Sequence, residues 1–236
     1  MNHPIAEDLV TANHILANEG VLDGLGHISV RHPENPQRYL MSRSLAPALV
    51  THSDIMEYDL DSNPVDRQSR ALFLERFIHG ETYKARSDVM AVIHSHSPTV
   101  IPFSISQTPL RPVFNGAAFL SPSAPVFDIR KVAGITDLLI GNGELGKALS
   151  ETLGEGAVVL LRGHGNVVVG ETVQQVVYRA IQTELNARLQ LQAVMLGGAL
   201  VYLAPEEASK VNARSGPDAI QIGRTWELWK QRARGQ

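Results

Sequence analysis

Two apolar runs that each break into histidine constrain this chain more than any other feature. Val89–Ile93 runs into His94-Ser95-His96, and Ala157–Leu161 runs through Arg162-Gly163 into His164-Gly165. Both runs have the length and residue types of buried strands. Strand residues two apart point to the same side, so His94 and His96 present their imidazoles to one point. Glycines on either side of His164 let the backbone turn sharply and approach a neighbour closely. In α/β architectures, ligand and metal sites collect at such strand ends. Three imidazoles at one point suit a divalent cation. Singly, each motif also fits a polar residue that merely ends a strand.

Composition narrows the setting. At 236 residues the chain can bury a sizeable core without requiring a second domain. Hydrophobic residues at 44% and charged residues at 19% are ordinary for a globular protein. A net charge of −3 and a pI ≈ 6.3 argue against nucleic acid or an anionic membrane as the main partner. There is no cysteine, which excludes disulfides and thiolate sites, so any metal must rest on His, Asp or Glu. The start, MNHPIAEDLVTANHIL, carries acids and lacks a basic segment ahead of an apolar core, so it does not read as a signal peptide. No apolar run reaches the roughly 18 residues a membrane span needs, and the expected location is the cytoplasm.

Taken in order, residues 4–20 form an amphipathic helix stopped at Gly20. Gly24–Arg31 reads as a glycine-bearing turn entering a short strand. Arg38–Ser44 reads as the following strand and its exit loop and Ile55–Leu60 as a third strand, then come a helix over Ser69–Lys84 and the strand Val89–His94. In the second half, Thr99–Ser106 and Asn142–Leu153 read as helices, and Leu110–Phe114 and Val126–Asp128 as short Pro-flanked segments. Ala157–Leu161 and Asn166–Val169 are strands, and Thr172–Leu196 is a long helix. Pro217–Arg232 is a last helix carrying Trp226 and Trp229. No repeat, linker or low-complexity tract interrupts this alternation. The expectation is a single α/β domain over 1–236 with a mixed sheet, its C-terminal helical part, 205–236, being a possible cover for the site.

The order of these features carries a resemblance. A glycine turn precedes Ile28-Ser29-Val30-Arg31, Glu75 lies nineteen residues ahead of His94, and an apolar strand enters Arg162-Gly163-His164-Gly165 before a long helix. Over roughly residues 5–200 this resembles the class II aldolase/adducin family. The resemblance implies an α/β/α fold around a central, largely antiparallel sheet. It also implies a divalent metal held by His94, His96 and His164, with Glu75 as the catalytic acid/base. A homotetramer with active sites between subunits is implied too. Three imidazoles suit zinc, manganese, cobalt or iron alike. From the residues alone, Glu75 is either a partly shielded helix carboxylate whose pKa is raised into a useful range or a surface charge paired with Arg76 or Arg86.

Departures from the family pattern suggest the substrate. Sugar-phosphate aldolases of this family carry a Gly-Asn turn and a Thr-Pro-Thr/Ser-Gly loop that hold a phosphate. Here those places have Gly26-His27 and Ser42-Arg43-Ser44-Leu45-Ala46-Pro47. A forked guanidinium matches a planar carboxylate bidentately. The variant resembles family members that decarboxylate ring compounds bearing a hydroxyl beside a carboxylate, such as dihydroxyphthalates or hydroxypyridine dicarboxylates. On this reading His27, Ser42, Arg43 and Ser44 contact a small aromatic carboxylate. Aldol cleavage of a hydroxyaldehyde or sugar phosphate is the second reading, and a metal-free adducin-like scaffold the third. His79 either orients Glu75 or makes a structural hydrogen bond. Arg162 is a carboxylate clamp or half of an ion pair, and Phe119, Trp226 and Trp229 are expected to pack. The Gly24–Ser29 turn lacks the third glycine of a dinucleotide site.

Overall fold

The computed structural model describes residues 4–235. Helix α1 (Pro4–Asn18) leads to the strands β1 (His27–Arg31), β2 (Arg38–Ser42) and β3 (Ile55–Asp59). Then come α2 (Phe77–Ala85), β4 (Ala91–Ser95), α3 (Ile101–Ile105), β5 (Val126–Phe127), α4 (Arg130–Ala133) and α5 (Gly143–Leu153). The chain closes with β6 (Val158–Leu161), β7 (Gly165–Gly170), α6 (Val173–Leu196), α7 (Pro205–Asn212) and α8 (Ile220–Arg234). The strands form one seven-stranded sheet in the order β3-β2-β1-β4-β7-β6-β5. Every neighbouring pair is antiparallel except β5 with β6. The expected largely antiparallel, mixed α/β sheet is therefore present.

The period-two alternation of the strands assigns each side chain to one of two cores. Ile28, Val30, Ile93, Val158, Leu160 and Val168 join α1, α6 and α8 on one face. Met41, Val92, Val159, Leu161, Val167 and Val169 join α2 and α5 on the other. Because both faces are covered, β1, β4, β6 and β7 are buried along their whole length, which gives an α/β/α sandwich. Each fully buried Val or Leu contributes about 1.5–3 kcal/mol relative to exposure. On the α2 face the same alternation turns His27, Ser29 and His94 inward, so the central strands bring polar groups into an otherwise apolar layer.

Capping fixes two of the helices. Asn142 accepts the Leu145 N–H at 2.9 Å at the start of α5, and Thr172 accepts the Gln175 N–H at 3.1 Å at the start of α6; such caps contribute ~1 kcal/mol each. In α8, Trp226 and Trp229 are buried against α1 and α6, the expected packing role. Phe119 also packs against that core.

The helix expected over Ser69–Lys84 is shorter. Gln68 and Ser69 have positive φ (43° and 63°), Phe73 is extended, and only a 3-10 turn, Leu74–Arg76, precedes α2. The Ala71 carbonyl, which a helix would give to Glu75, instead accepts the Ser44 N–H at 2.9 Å. A tertiary hydrogen bond has overridden local propensity. The Pro-flanked segment Leu110–Phe114 joins no strand; its amides at Arg111 and Val113 donate to Gln190 and Asn186 side chains of α6. The helices α4 and α7 were not foreseen.

Candidate metal centre and active site

The three central strands β1, β4 and β7 build the site. His94 is the fourth residue of β4 and is buried, and His96 follows two residues later. His164 comes from a three-residue hairpin turn between β6 and β7, whose register pairs Leu161 with Gly165. Gly163 in that turn has φ +65°, a conformation L side chains rarely adopt. At Gly165 a Cβ would collide with the Ser95 carbonyl, so only glycine lets the turn approach β4 closely enough to set His164 beside His96. Glu75, in the 3-10 turn before α2, completes a group whose ligand atoms all lie within 4.8 Å of one another.

Hydrogen bonding on the outer side of the rings sets which nitrogens face inward. His94 Nδ1 donates to the Asn166 carbonyl (3.2 Å) and His96 Nδ1 donates to Asp23 Oδ2 (3.1 Å). Each Nε2 therefore turns a lone pair toward the cluster. His94 Nε2 is buried without a hydrogen-bond partner among the described residues. Burial, then the neighbouring His94, pulls the His164 pKa down to about 4, so this ring is also neutral near pH 7.

A cation fits this donor set. His96 Nε2 is 3.3 Å from His164 Nε2, and Glu75 Oε2 is 3.4 Å from His94 Nε2 and 3.5 Å from His164 Nε2. Tetrahedral ligation with bonds of roughly 2.1 Å separates ligand atoms by about 3.4 Å. When each of these atoms turns a lone pair inward they repel at such separations, and a divalent ion removes that repulsion.

Glu75 departs from expectation. Burial alone would raise its pKa, but His94, His164 and the Ile140 N–H, which donates to Oε1 at 2.9 Å, hold it down to about 2. It is an ionised carboxylate rather than a raised-pKa acid, and it pairs with neither Arg76 nor Arg86.

A cavity of ≈ 540 Å3 opens over the cluster. Its polar wall is His27, Glu75, His96 and His164, and its apolar wall is Leu25, Phe73, Leu74 and Leu139. The His27 ring lies 4.6 Å from the Phe73 ring and 5.2 Å from His94, centroid to centroid. His27 sits opposite His94 in the β1–β4 register. Burial, then the neighbouring His79, holds the His27 pKa well below its usual value.

Residues 7–191 match the Class II Aldolase and Adducin N-terminal domain. The chain belongs to the class II aldolase and adducin family. It is 38% identical to decarboxylase tropJ of Talaromyces stipitatus, over 93% of this chain and 90% of that protein. It is 31% identical to a 3,4-dihydroxyphthalate decarboxylase of Arthrobacter keyseri, over 94% of this chain and 92% of that one. Its structure resembles an L-fuculose 1-phosphate aldolase from Glaciozyma antarctica with a TM-score of 0.77 at 25% identity, covering 96% of this chain and 88% of that one.

For this family member, the residues expected to replace the aldolase phosphate loop lie apart from the cavity wall. Ser42 ends β2 and is buried, and Arg43 and Ser44 follow it, at the end of the sheet where His27 enters β1. Arg43 Nε donates to Asp54 Oδ1 at 2.6 Å, which leaves its two Nη groups unengaged by that pair. None of the three lines the cavity of this chain, and neither do residues 205–235. His79 does not orient Glu75: its ring bonds to His27 and Ser29. Arg162 pairs with Asp128 at 2.9 Å, the structural alternative.

Sequence reading missed Asp23, the Asn166 carbonyl, the Ile140 amide and Phe73. Asp23 left a local trace, since its carboxylate also accepts the Leu25 and Gly26 amides as a turn-forming Asp does. The other three are brought in by long-range packing and leave no local signal.

Proposed function

We propose that this family member is a divalent-metal-dependent decarboxylase of an ortho-hydroxy aromatic or pyridine dicarboxylate. The observation that carries the reading is the converging Glu75–His94–His96–His164 group at the base of a cavity walled by Phe73 and three leucines. A flat ring fits between apolar walls while its oxygens meet the polar side. The named decarboxylases among the relatives support the same class of reaction.

His94, His96 and His164 would hold the metal, which when bound supplies Lewis acidity for the negative charge that builds on the ring oxygen as carbon dioxide leaves. Glu75, ionised and facing the cluster, accepts the proton of the ring hydroxyl as substrate settles. It returns that proton to the ring carbon that loses the carboxylate. His27 contacts a substrate oxygen. Arg43, with Ser42 or Ser44, lies outside the cavity wall at the same end of the sheet and would receive the second carboxylate there through the Nη groups that Asp54 leaves available. Phe73 stacks on the ring, and Leu25 and Leu74 at the mouth exclude water.

The same reading takes the chain as one domain over 1–236, assembled into a homotetramer with sites between neighbouring subunits. Cover from the 205–236 extension would then fall on a neighbour's site. It places the protein in the cytoplasm, in the breakdown of aromatic compounds; no helix among the described residues is long and apolar enough to cross a membrane. Aldol cleavage is the second reading, favoured by the likeness to an L-fuculose 1-phosphate aldolase. The higher identity to the named decarboxylases, 38% and 31% against 25%, speaks against it, and the intact donor set speaks against a metal-free scaffold.

The test is a panel of ortho-hydroxy aromatic dicarboxylates, 3,4-dihydroxyphthalate among them, assayed for the decarboxylated ring beside sugar phosphates assayed for aldol products. Ring products with no aldol products are expected. Aldol cleavage alone would return the chain to the aldolases.

A further inference from the structure

A buried relay runs from α2 to the cavity. Tyr83 Oη is 2.8 Å from Ser29 Oγ, Ser29 Oγ is 2.6 Å from His79 Nδ1, and His79 Nε2 is 2.7 Å from His27 Nδ1. All four side chains are at most 2% exposed. His27 Nε2 has no protein partner among the described residues. It is also absent from the fully enclosed unpartnered atoms, which are His94 Nε2 and His164 Nδ1. Because the ring lines the cavity, this is the atom it offers there.

Each link in such a chain carries one proton, so the whole chain has a direction. Burial raises the Tyr83 pKa, so the phenol keeps its proton and must give it to an acceptor. Ser29 Oγ is the one hydrogen-bond partner of the phenol oxygen among the described residues, so it is the acceptor. The Ser29 hydroxyl, occupied on that side, donates to His79 Nδ1. His79 is then protonated on Nε2 and donates to His27 Nδ1. Burial holds the His79 ring neutral, its pKa pulled down to about 3. Run in the other direction, the chain would leave the Tyr83 O–H buried with nothing to accept it, the arrangement buried polar groups avoid.

We infer that the Tyr83–Ser29–His79 relay fixes His27 as the Nε2–H tautomer, making it a permanent hydrogen-bond donor to an anionic oxygen of the substrate beside the histidine cluster. Tyr83, Ser29 and His79 are thus positioning residues, and only His27 touches substrate. A protonated Nε2 has no lone pair for a metal or a proton, so His27 is neither a fourth imidazole ligand nor the general base. That separates it from His94 and His96, whose outer nitrogens carry the proton. A ready-made donor that keeps its proton favours substrates presenting a carboxylate or phenolate oxygen.

The choice of substrate oxygen rests on the decarboxylase reading, but the tautomer does not. The experiment is two-bond proton–nitrogen NMR on the full chain labelled with 15N-histidine, recorded without substrate; nine histidines keep the spectrum tractable. The His27 signals are assigned by their loss in His27→Gln. Wild type is expected to show His27 carrying its proton on Nε2 alone. In Tyr83→Phe, which keeps the ring and removes the donor that sets the direction, signals of the Nδ1–H form should appear. Ser29→Ala should do the same, by a change in a different residue. With an active substrate, Tyr83→Phe should lower kcat several-fold while metal content is unchanged. An Nδ1–H His27 in wild type, or a tautomer indifferent to both variants, would overturn the inference. A clean Nε2–H spectrum from a protein that decarboxylates nothing would leave the relay standing and remove the functional reading.

Discussion

Two groups of histidines meet on the same side of the sheet, His27 of one being the register partner of His94 of the other, and they have opposite chemistry. In the first group, His94 and His96 give their outer N–H to an Asn166 carbonyl and an Asp23 carboxylate, so bare nitrogens converge on Glu75 and His164. In the second, His27 and His79 bond to each other and onward to Ser29 and Tyr83, so one N–H remains for the cavity. Exposure does not separate them, since His27, His79 and His94 are all nearly inaccessible. The partner of the far nitrogen does. An oxygen acceptor behind the ring makes a ligand, and a directed hydroxyl chain behind it makes a donor.

The sharpest way to test this contrast is to take one residue from each group. His94→Ala should leave no tightly bound divalent metal by elemental analysis, and product formation should drop to background. His27→Gln should retain the metal and lose only part of the rate. Glu75→Gln keeps the shape and removes the proton acceptor; with metal still bound, kcat should fall by roughly 10²–10⁴-fold. Equal loss of metal in that variant would make Glu75 a ligand and nothing more.

Asp23→Asn probes the oxygen behind His96. Metal affinity, measured by competition with a chelator, is expected to fall about 10–100-fold with the fold unchanged by circular dichroism. Arg43→Lys should raise KM by about tenfold with little change in kcat, the cost of losing one charge-assisted hydrogen bond to the second carboxylate. No change in KM would remove Arg43 from the site.

A last effect, away from the reaction itself, concerns stability. His79 is buried and neutral, with its pKa lowered from 6.5 to about 3. The unfolded chain therefore binds more protons as pH falls below 6.5, and this group's contribution is lost by about 1.4 kcal/mol per pH unit at most until pH reaches about 3. Denaturant midpoints for His79→Gln should decline less steeply with acid than those for wild type over this window.

Much of the fold was legible because strand and helix periods were clear. The strand placements around Ile28, Tyr39, Ile93, Leu160 and Val167 agree with the structure to within two residues at each end. The failure at Ser69–Phe73 has a definite cause: Ala71 bonds to Ser44, a contact that neither segment announces by itself. In the site, the histidines were visible because strand alternation and flanking glycines are local signals. Of the two readings open for Glu75, the raised pKa fails because the imidazoles and the Ile140 amide oppose the effect of burial, and these partners are far away in sequence. For His79, helical spacing leaves open whether it orients Glu75 or makes a structural hydrogen bond, and the structure shows the second. Its true partner, His27, lies across the sheet-to-helix interface, where sequence separation gives no guide.

The most direct test is carbon dioxide release from 3,4-dihydroxyphthalate, followed as the divalent metal is stripped with a chelator and restored in steps. Release should vanish in the metal-free protein, return in proportion to metal bound, and saturate at one ion per chain. Release that persists undiminished in fully stripped protein would contradict a decarboxylase built on His94, His96 and His164.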